Sequence, residues 1–251
     1  SKHRKNRTNK PKKESASFRD QPKKIVERAE VEGMRLNKYV AHCGICSRRQ
    51  AADYIKEGLV TVNGEILDRP GYQIQKDDVV AYQGEVIKPE ENLIYILMNK
   101  PRNVITTVKD EMGRRTVMDI IGTKVKERIF PVGRLDKDTT GLLLLTNDGH
   151  LAKKLTHPSH GVKKFYQAQL DKPLTKKHLE DIRKGLTLED GPAMVDFADY
   201  VEGKDSNEVG IEIHIGRNRI VRRIFEHLGY TVERLDRVYM AGLTKKDLPR
   251  S

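Results

Sequence analysis

Apolar positions start to recur with a fixed period only after residue 33. Leu36, Tyr39 and Val40 fall at helical spacing, and Gly44 closes that short helix. Ser47-Arg48-Arg49-Gln50 then has the form of a capping box, followed by Ala51, Ala52, Tyr54 and Ile55, with Gly58 at the expected stop. The period changes to two around Asn63-Gly64, where Leu59–Val62 and Glu65–Leu67 are β-prone arms of a hairpin. Two helices and a hairpin predict a compact module over residues 34–90.

A new apolar run, Leu93 to Leu97, stops at Asn99-Lys100-Pro101, which places a domain boundary near Glu90. Leu142 to Leu145, bounded by Gly141 and Asp148-Gly149, suits a short strand buried on both faces. His150 to Leu155 predicts a short amphipathic helix, and Lys163 to Leu170 a strand with Tyr166 on the same face as Lys164. Ile211, Ile213 and Ile215 alternate with polar residues up to Gly216. From Asn218 the period becomes helical: Ile220, Val221, Ile224, Phe225 and Leu228 form one side, and Arg219, Arg222, Arg223 and Glu226 are expected opposite. Strands and helices mix without regular βαβ alternation, so residues 91–251 predict an α+β domain with a mixed, largely antiparallel sheet.

Charge changes this picture mainly at the N-terminus. Of a formal net charge of +12, residues 1–24 supply ten Lys and Arg against Glu14 and Asp20, leaving +4 for the rest. A segment so polar cannot offset its ordering entropy, so residues 1–33 are expected to be a disordered basic tail whose natural partner is a polyanion such as RNA. With 37% hydrophobic and 33% charged residues, and with no membrane-length apolar run or signal peptide, the composition predicts a soluble cytoplasmic protein.

Candidate chemistry concentrates in Phe130–Gly149, FPVGRLDKDTTGLLLLTNDG. Pro131 and Gly133 set up a turn, after which Arg134, Asp136, Lys137 and Asp138 crowd charge at the mouth of the buried strand. An exposed acidic turn is one reading. A calcium loop is another, but Thr140 and Asn147 stand where the EF-hand pattern needs an oxygen ligand and a bidentate Glu. Cys43 and Cys46 form a CxxC without a second pair, so they read as structural, and His157-Pro158-Ser159-His160 reads as a loop. The arginines that open the last helix stack like charge where the helix dipole is already positive, which asks for an anionic partner: a phosphate or a buried carboxylate.

GRLDKDTTGLLLLTNDG closely resembles the signature of the RsuA/RluB-type ribosomal RNA pseudouridine synthases. MRLNKYVAHCGICSRRQAADYIKEGLVTVNGEIL resembles the S4 domain, a small RNA-binding fold, Lys164-Phe165-Tyr166 resembles the family's K-x-Y motif, and GRNRIVRR its third motif. The resemblance implies uridine isomerisation in ribosomal RNA by a monomer using no cofactor and no metal, and it implies a further basic segment beyond Pro249-Arg250-Ser251. Asp136 would be the catalytic residue, acting on sugar or base, with Arg222 as its pairing guanidinium. Stacked RNA hides the target atoms, so the base must flip out. Arg134 would occupy the vacated space and hold phosphate, and Tyr166 would stack on the uracil and transfer a proton. Lys164 and Arg219 would bind substrate, while Ile220 and Val221 would wall the pocket, although core packing explains those two equally well. Arg35, Lys38, Arg48, Arg49 and Lys56 would contact RNA from the S4 helices. The Arg-Asn-Arg of the third motif is more like the RluB branch, which points to large-subunit (23S) rather than small-subunit (16S) RNA. A non-catalytic S4-type assembly factor is the rival reading. An S4-linked methyltransferase is a second, but no glycine-rich nucleotide loop of the G-x-G-x-x-G kind is present.

Overall fold

The computed structural model describes residues 31–251, so the basic segment at 1–30 lies outside the described residues. Helix α1 (Leu36–His42) and helix α2 (Arg48–Lys56) pack against a four-stranded sheet of β1 (Val60–Val62), β2 (Glu65–Ile66), β3 (Val80–Tyr82) and β4 (Glu85–Val86), in the order β2-β1-β3-β4. The Ser47 hydroxyl accepts from the Gln50 amide at 3.2 Å and the Gln50 side chain accepts from the Ser47 amide at 3.1 Å, completing the expected capping box. Asn63 and Gly64 both adopt positive φ, as a tight two-residue hairpin turn requires. Leu36, Val40, Ala51, Ile55, Val60 and Ile74 form a separate small core. Its contacts begin before Met34: Val31 packs on that core and the Gly33 amide donates to the Ile74 carbonyl.

The larger body is built on an eight-stranded sheet. Its strands are β5 (Tyr95–Lys100), β6 (Phe130–Pro131), β7 (Thr139–Thr146), β8 (Lys164–Leu170), β11 (Phe197–Tyr200), β12 (Glu208–Ile213), β13 (Val232–Met240) and β14 (Leu243–Thr244). The main order is β11-β12-β8-β13-β7-β5, with β14 added to β13 and β6 to β7. Among the described residues the pairing of β13 with β7 is parallel and the other strand pairs in this sheet are antiparallel. This is the α+β arrangement the irregular alternation predicts. A two-stranded hairpin, β9 (Leu186–Leu188) with β10 (Gly191–Ala193), stands outside the sheet.

The principal core lies on the face covered by α3 (Val117–Ile121), α5 (Lys176–Lys184) and α6 (Ile220–His227). Tyr166, Ala168 and Leu170 alternate into it along β8, while Gln167 and Gln169 point away. Helix α4 (Gly149–Thr156) covers part of the other face, placing Leu151 and Leu155 on Val132, Leu144 and Met240. Leu142, Leu143 and Leu145 are fully buried, as a strand sandwiched between helices must be. Gly141 marks the closest approach of β7 to β13: at φ +108° an added Cβ would lie 2.2 Å from the Arg237 carbonyl oxygen. Only glycine permits that approach.

Candidate active site

The turn between β6 and β7 carries the acidic cluster. It lines a cavity of about 450 Å³ that includes Arg134, Asp136, Tyr166 and Arg219, with Ile220, Val221 and Leu235 as an apolar wall. Leu135, buried in the core, anchors the turn, so its neighbours Arg134 and Asp136 both reach the cavity. Arg134 is exposed and Asp136 is half-buried, its side chain 34% accessible.

A segment that carries no motif in the sequence braces this turn. The Thr106 hydroxyl donates to the Leu135 carbonyl at 2.8 Å and accepts from the Leu135 amide at 3.3 Å, and the Asn103 amide donates to the Lys137 carbonyl at 2.8 Å. Asp136 therefore sits between two backbone positions tied to the 103–106 loop. Thr106→Val preserves shape but leaves both Leu135 groups unpaired, a loss of roughly 1–3 kcal/mol. Denaturant unfolding should show that loss, and single-turnover assays should show slower chemistry. A variant with wild-type stability and rate would mean the turn holds itself.

Lys100, at the end of β5, is fully buried beneath the same turn. Its ammonium donates to the carbonyls of Val104 (2.8 Å), Pro101 (3.0 Å) and Lys137 (3.5 Å). Burial pulls its pKa down to about 8, against the pull of Asp138 and then Asp136, which favour the charged form. Below pH 8 the lysine is protonated folded or unfolded. Between about 8 and the unfolded value of 10.5 only the unfolded chain holds the proton, so the destabilisation from burying the charge is greatest at the low end of that window and fades toward its top. With more protons bound in the unfolded chain, the unfolding free energy rises with pH through the window. The unfolding free energy of the wild type relative to Lys100→Met should therefore increase from pH 8 to pH 10.5. A flat difference would show that Lys100 keeps its proton.

The guanidinium pairing differs from the expected one. Arg222 is expected to pair with Asp136, yet its Nη2 lies 3.3 Å from the Asp138 carboxylate, and it also reaches the Asp138 carbonyl and the Thr139 hydroxyl, each at 3.3 Å. Its Nη1 donates to the Val232 carbonyl at 2.9 Å. Asp136 instead meets Arg219, whose Nη1 lies 3.3 Å from Asp136 and 3.4 Å from Asp138. The reason is local backbone. Arg219 adopts φ +47° as the N-cap of α6, which turns its side chain back over the cavity, whereas Arg222 lies within the helix and points beneath the turn. Arg222 is also 3% exposed, so it does not share a solvated helix face with Arg223 and Glu226. Burial pulls its pKa down, Asp138 opposes that shift, and Arg219 adds to it.

Lys164 is expected beside the substrate, but it does not line the cavity. It pairs with Ile213 and Met240 at the start of β8, two residues before Tyr166, where burial and then Arg237 push its pKa down. Tyr166 does reach the cavity, although it is 8% exposed and also belongs to the core. Ile220 and Val221 likewise serve both. Arg217 enters the sequence reading only as part of Arg217-Asn218-Arg219, with no site role, yet it lines the cavity. It donates to the carbonyls of Asp190 (2.9 Å) and Pro192 (3.0 Å) on the β9–β10 hairpin, and Arg223 holds the Asp190 carboxylate through two bonds of 3.0 and 2.6 Å. Glu189-Asp190-Gly191 reads only as a turn, so nothing in the sequence ties it to this helix.

Arg35, Lys38, Arg48, Arg49 and Lys56 are all exposed on the surface of the N-terminal module. Lys38, Arg48 and Arg49 face the larger domain across a cleft, and Arg35 and Lys56 lie outside it. Burial, then the nearby Glu90 carboxylate, pushes the Cys43 thiol up to about 12, and burial also raises Cys46 despite Arg128. Both thiols therefore stay protonated at neutral pH, which suits packing rather than thiolate chemistry.

A small basic module joined to a mixed sheet, whose carboxylate turn is ringed by guanidinium groups, defines an enzyme that acts on RNA. Residues 94–227 match the RNA pseudouridylate synthase family and residues 34–80 match the S4 domain. The chain is 41% identical over 217 residues to the Bacillus subtilis ribosomal large subunit pseudouridine synthase B, covering 85% of this chain and 88% of that one. It is 35% identical over 218 residues to the Escherichia coli dual-specificity RNA pseudouridine synthase RluF, covering 86% and 73%. A pseudouridylate synthase crystal structure superposes with a TM-score of 0.59 at 28% identity, covering 86% and 93%. The chain belongs to the RNA pseudouridylate synthase family, in its RsuA/RluB group, and is an RNA pseudouridine synthase, an isomerase. No helix among the described residues is long and apolar enough to cross a membrane.

Proposed function

We propose that this enzyme isomerises a uridine of large-subunit ribosomal RNA, with Asp136 as the reacting carboxylate. The observation that carries the assignment is the position of Asp136: it lies in the cavity beside Arg219, with Tyr166 on the same wall. The large-subunit target is supported by the Bacillus subtilis relative and by Arg217-Asn218-Arg219.

The reaction breaks the bond from C1′ to N1 of uracil and forms one from C1′ to C5, while the C5 proton is lost and N1 gains one. Atoms and electrons balance with no oxidant or hydrolytic water. The uridine must leave its stack to present C1′. Arg134, exposed beside Asp136, fills the vacated space and holds phosphate. A carboxylate is ionised at neutral pH and ready to attack or to take a proton. Arg219 and the Arg222–Asp138 pair keep that charge directed at the substrate. Tyr166 stacks on the flipped base and is the acid or base for the C5 proton.

The deciding experiment incubates purified protein with protein-free 23S and 16S rRNA separately and maps pseudouridine chemically. Product in 23S alone is expected. Product only in 16S would overturn the target, and tight binding without product in either would favour the assembly-factor reading.

The basic segment at 1–24 is proposed as an electrostatic anchor. Removing its ten positive groups should weaken binding to all RNAs alike and make the salt dependence shallower by roughly 0.7 to 0.9 for each phosphate the segment neutralises. A change in which uridine is modified would argue instead for recognition by the tail.

A further inference from the structure

A second cleft, of about 590 Å³, has walls from two different domains. Lys38, Arg48 and Arg49 line it from α1 and α2, and Arg128, Phe130 and Asn147 from the catalytic domain. The two walls are in register: the Glu90 amide of the linker donates to the His42 carbonyl at 2.9 Å, and Arg128 lies close enough to Cys46 to lower its thiol pKa.

Some arginines of this protein are paired with carboxylates, and the cations of this cleft are not. Arg114, Arg183, Arg217, Arg219 and Arg223 each have a carboxylate partner. Lys38, Arg48, Arg49 and Arg128 have no ion-pair partner among the described residues. Glu90, the one acid in the lining, already accepts a hydrogen bond from the Asn92 amide at 3.0 Å. Four cations against the single Glu90 carboxylate leave this concavity net positive, and the concavity focuses their field. That excess charge favours an entering anion.

The cleft and the catalytic pocket are lined by neighbouring parts of one chain segment. Phe130 lines the cleft, and Gly133 to Asp136, a few residues further along the same strand and turn, line the pocket. Six residues span at most about 20 Å, so one nucleic-acid strand can lie in both.

We propose that this cleft is a bipartite RNA backbone site, in which Arg128 of the catalytic domain and Arg48 of the S4 module hold phosphates of the strand that enters the catalytic pocket. The inference rests on the RNA-modifying reading above. It adds that the substrate bridges the domains and fixes the angle between them, with Lys38 and Arg49 extending the phosphate track along the S4 side.

The test measures affinity of the full chain for a defined 23S rRNA fragment, across a range of salt, for wild type, Arg48→Gln, Arg128→Gln, Arg128→Lys and the Arg48→Gln/Arg128→Gln double variant. Each Gln variant should bind roughly tenfold more weakly, with a salt slope shallower by about 1.4 to 1.8, because losing either wall releases both phosphates. Arg128→Lys should recover most of the affinity, because a point charge suffices for phosphate. The double variant should lose little beyond either single one, since freeing the strand at one wall removes it from the other. Multiplicative losses would mean two independent phosphate sites, and unchanged affinity in both singles would leave the cleft without RNA; either result overturns the proposal. Weakened binding of an acidic polypeptide, with RNA binding intact, would assign the cleft to a protein partner instead. If wild type makes no pseudouridine on this RNA while the coupled binding losses remain, the enzymatic target fails and the cleft assignment stands.

Discussion

Asp136→Asn should abolish pseudouridine formation, by on the order of ten-thousandfold, the size of loss that follows removal of an essential nucleophile or base. RNA affinity should stay within severalfold of wild type. The change removes one negative charge from the reacting position and leaves every phosphate-binding cation in place. The turn should also survive, because it is held by backbone bonds from Thr106 and Asn103 rather than by the Asp136 side chain. Arg219 keeps Asp138 within 3.4 Å, so it is not left as an isolated cation. Single-turnover assays with chemical mapping of the product, beside a binding titration, separate the two effects. Residual turnover near wild type would sink the catalytic assignment. Asp138 would then be the carboxylate to examine, although its pairing with two arginines fits a structural role better.

The fold is legible in the sequence wherever local chemistry is unambiguous. Asn63-Gly64 dictates its hairpin, Ser47 and Gln50 their cap, and four consecutive leucines between turn signals point to a strand covered on both faces. The failures lie where tertiary packing decides. At 100° per residue, the apolar arc of α6 spans about 140° from Ile220 to Phe225, and Arg222 and Arg223 lie roughly 60° beyond its two edges. Sequence treats those edges alike. In the structure one edge is covered by the acidic turn and β13 and buries Arg222, while the other leaves Arg223 to the Asp190 hairpin. Lys100 misleads for a related reason: a lysine before proline reads as the polar end of a strand. It is buried because three carbonyls from separate residues converge on its ammonium. Spacing also says nothing of how the carboxylates divide: Lys137 and Asp138 form a turn, so both carboxylates meet Arg219 while only Asp138 meets Arg222.

Arg222→Ala should lower both stability and activity, and the order of those losses tests the architecture of the site. Arg222 is almost wholly enclosed and satisfies the Asp138 carboxylate, the Asp138 carbonyl, the Thr139 hydroxyl and the Val232 carbonyl at once. Truncation strands these acceptors around an empty volume; breaking a fully buried pair costs about 3–5 kcal/mol, and with the Asp138 side chain 34% accessible the loss should fall toward the lower end. Asp138 and Thr139 lead directly into β7, so the turn carrying Asp136 should loosen and turnover should fall by orders of magnitude. Arg222→Lys supplies the discriminating measurement. One ammonium can neutralise Asp138 but cannot span to the Val232 carbonyl as the planar fork does, so stability should recover partly and activity less. Unfolding midpoints and single-turnover rates on the same preparations read the two quantities. If Arg222→Lys restores activity fully, neutralising the acidic turn is the whole function of this residue. If Arg222→Ala remains as active as wild type at a temperature where it is folded, the guanidinium beneath the turn is structural and Arg219 alone serves Asp136.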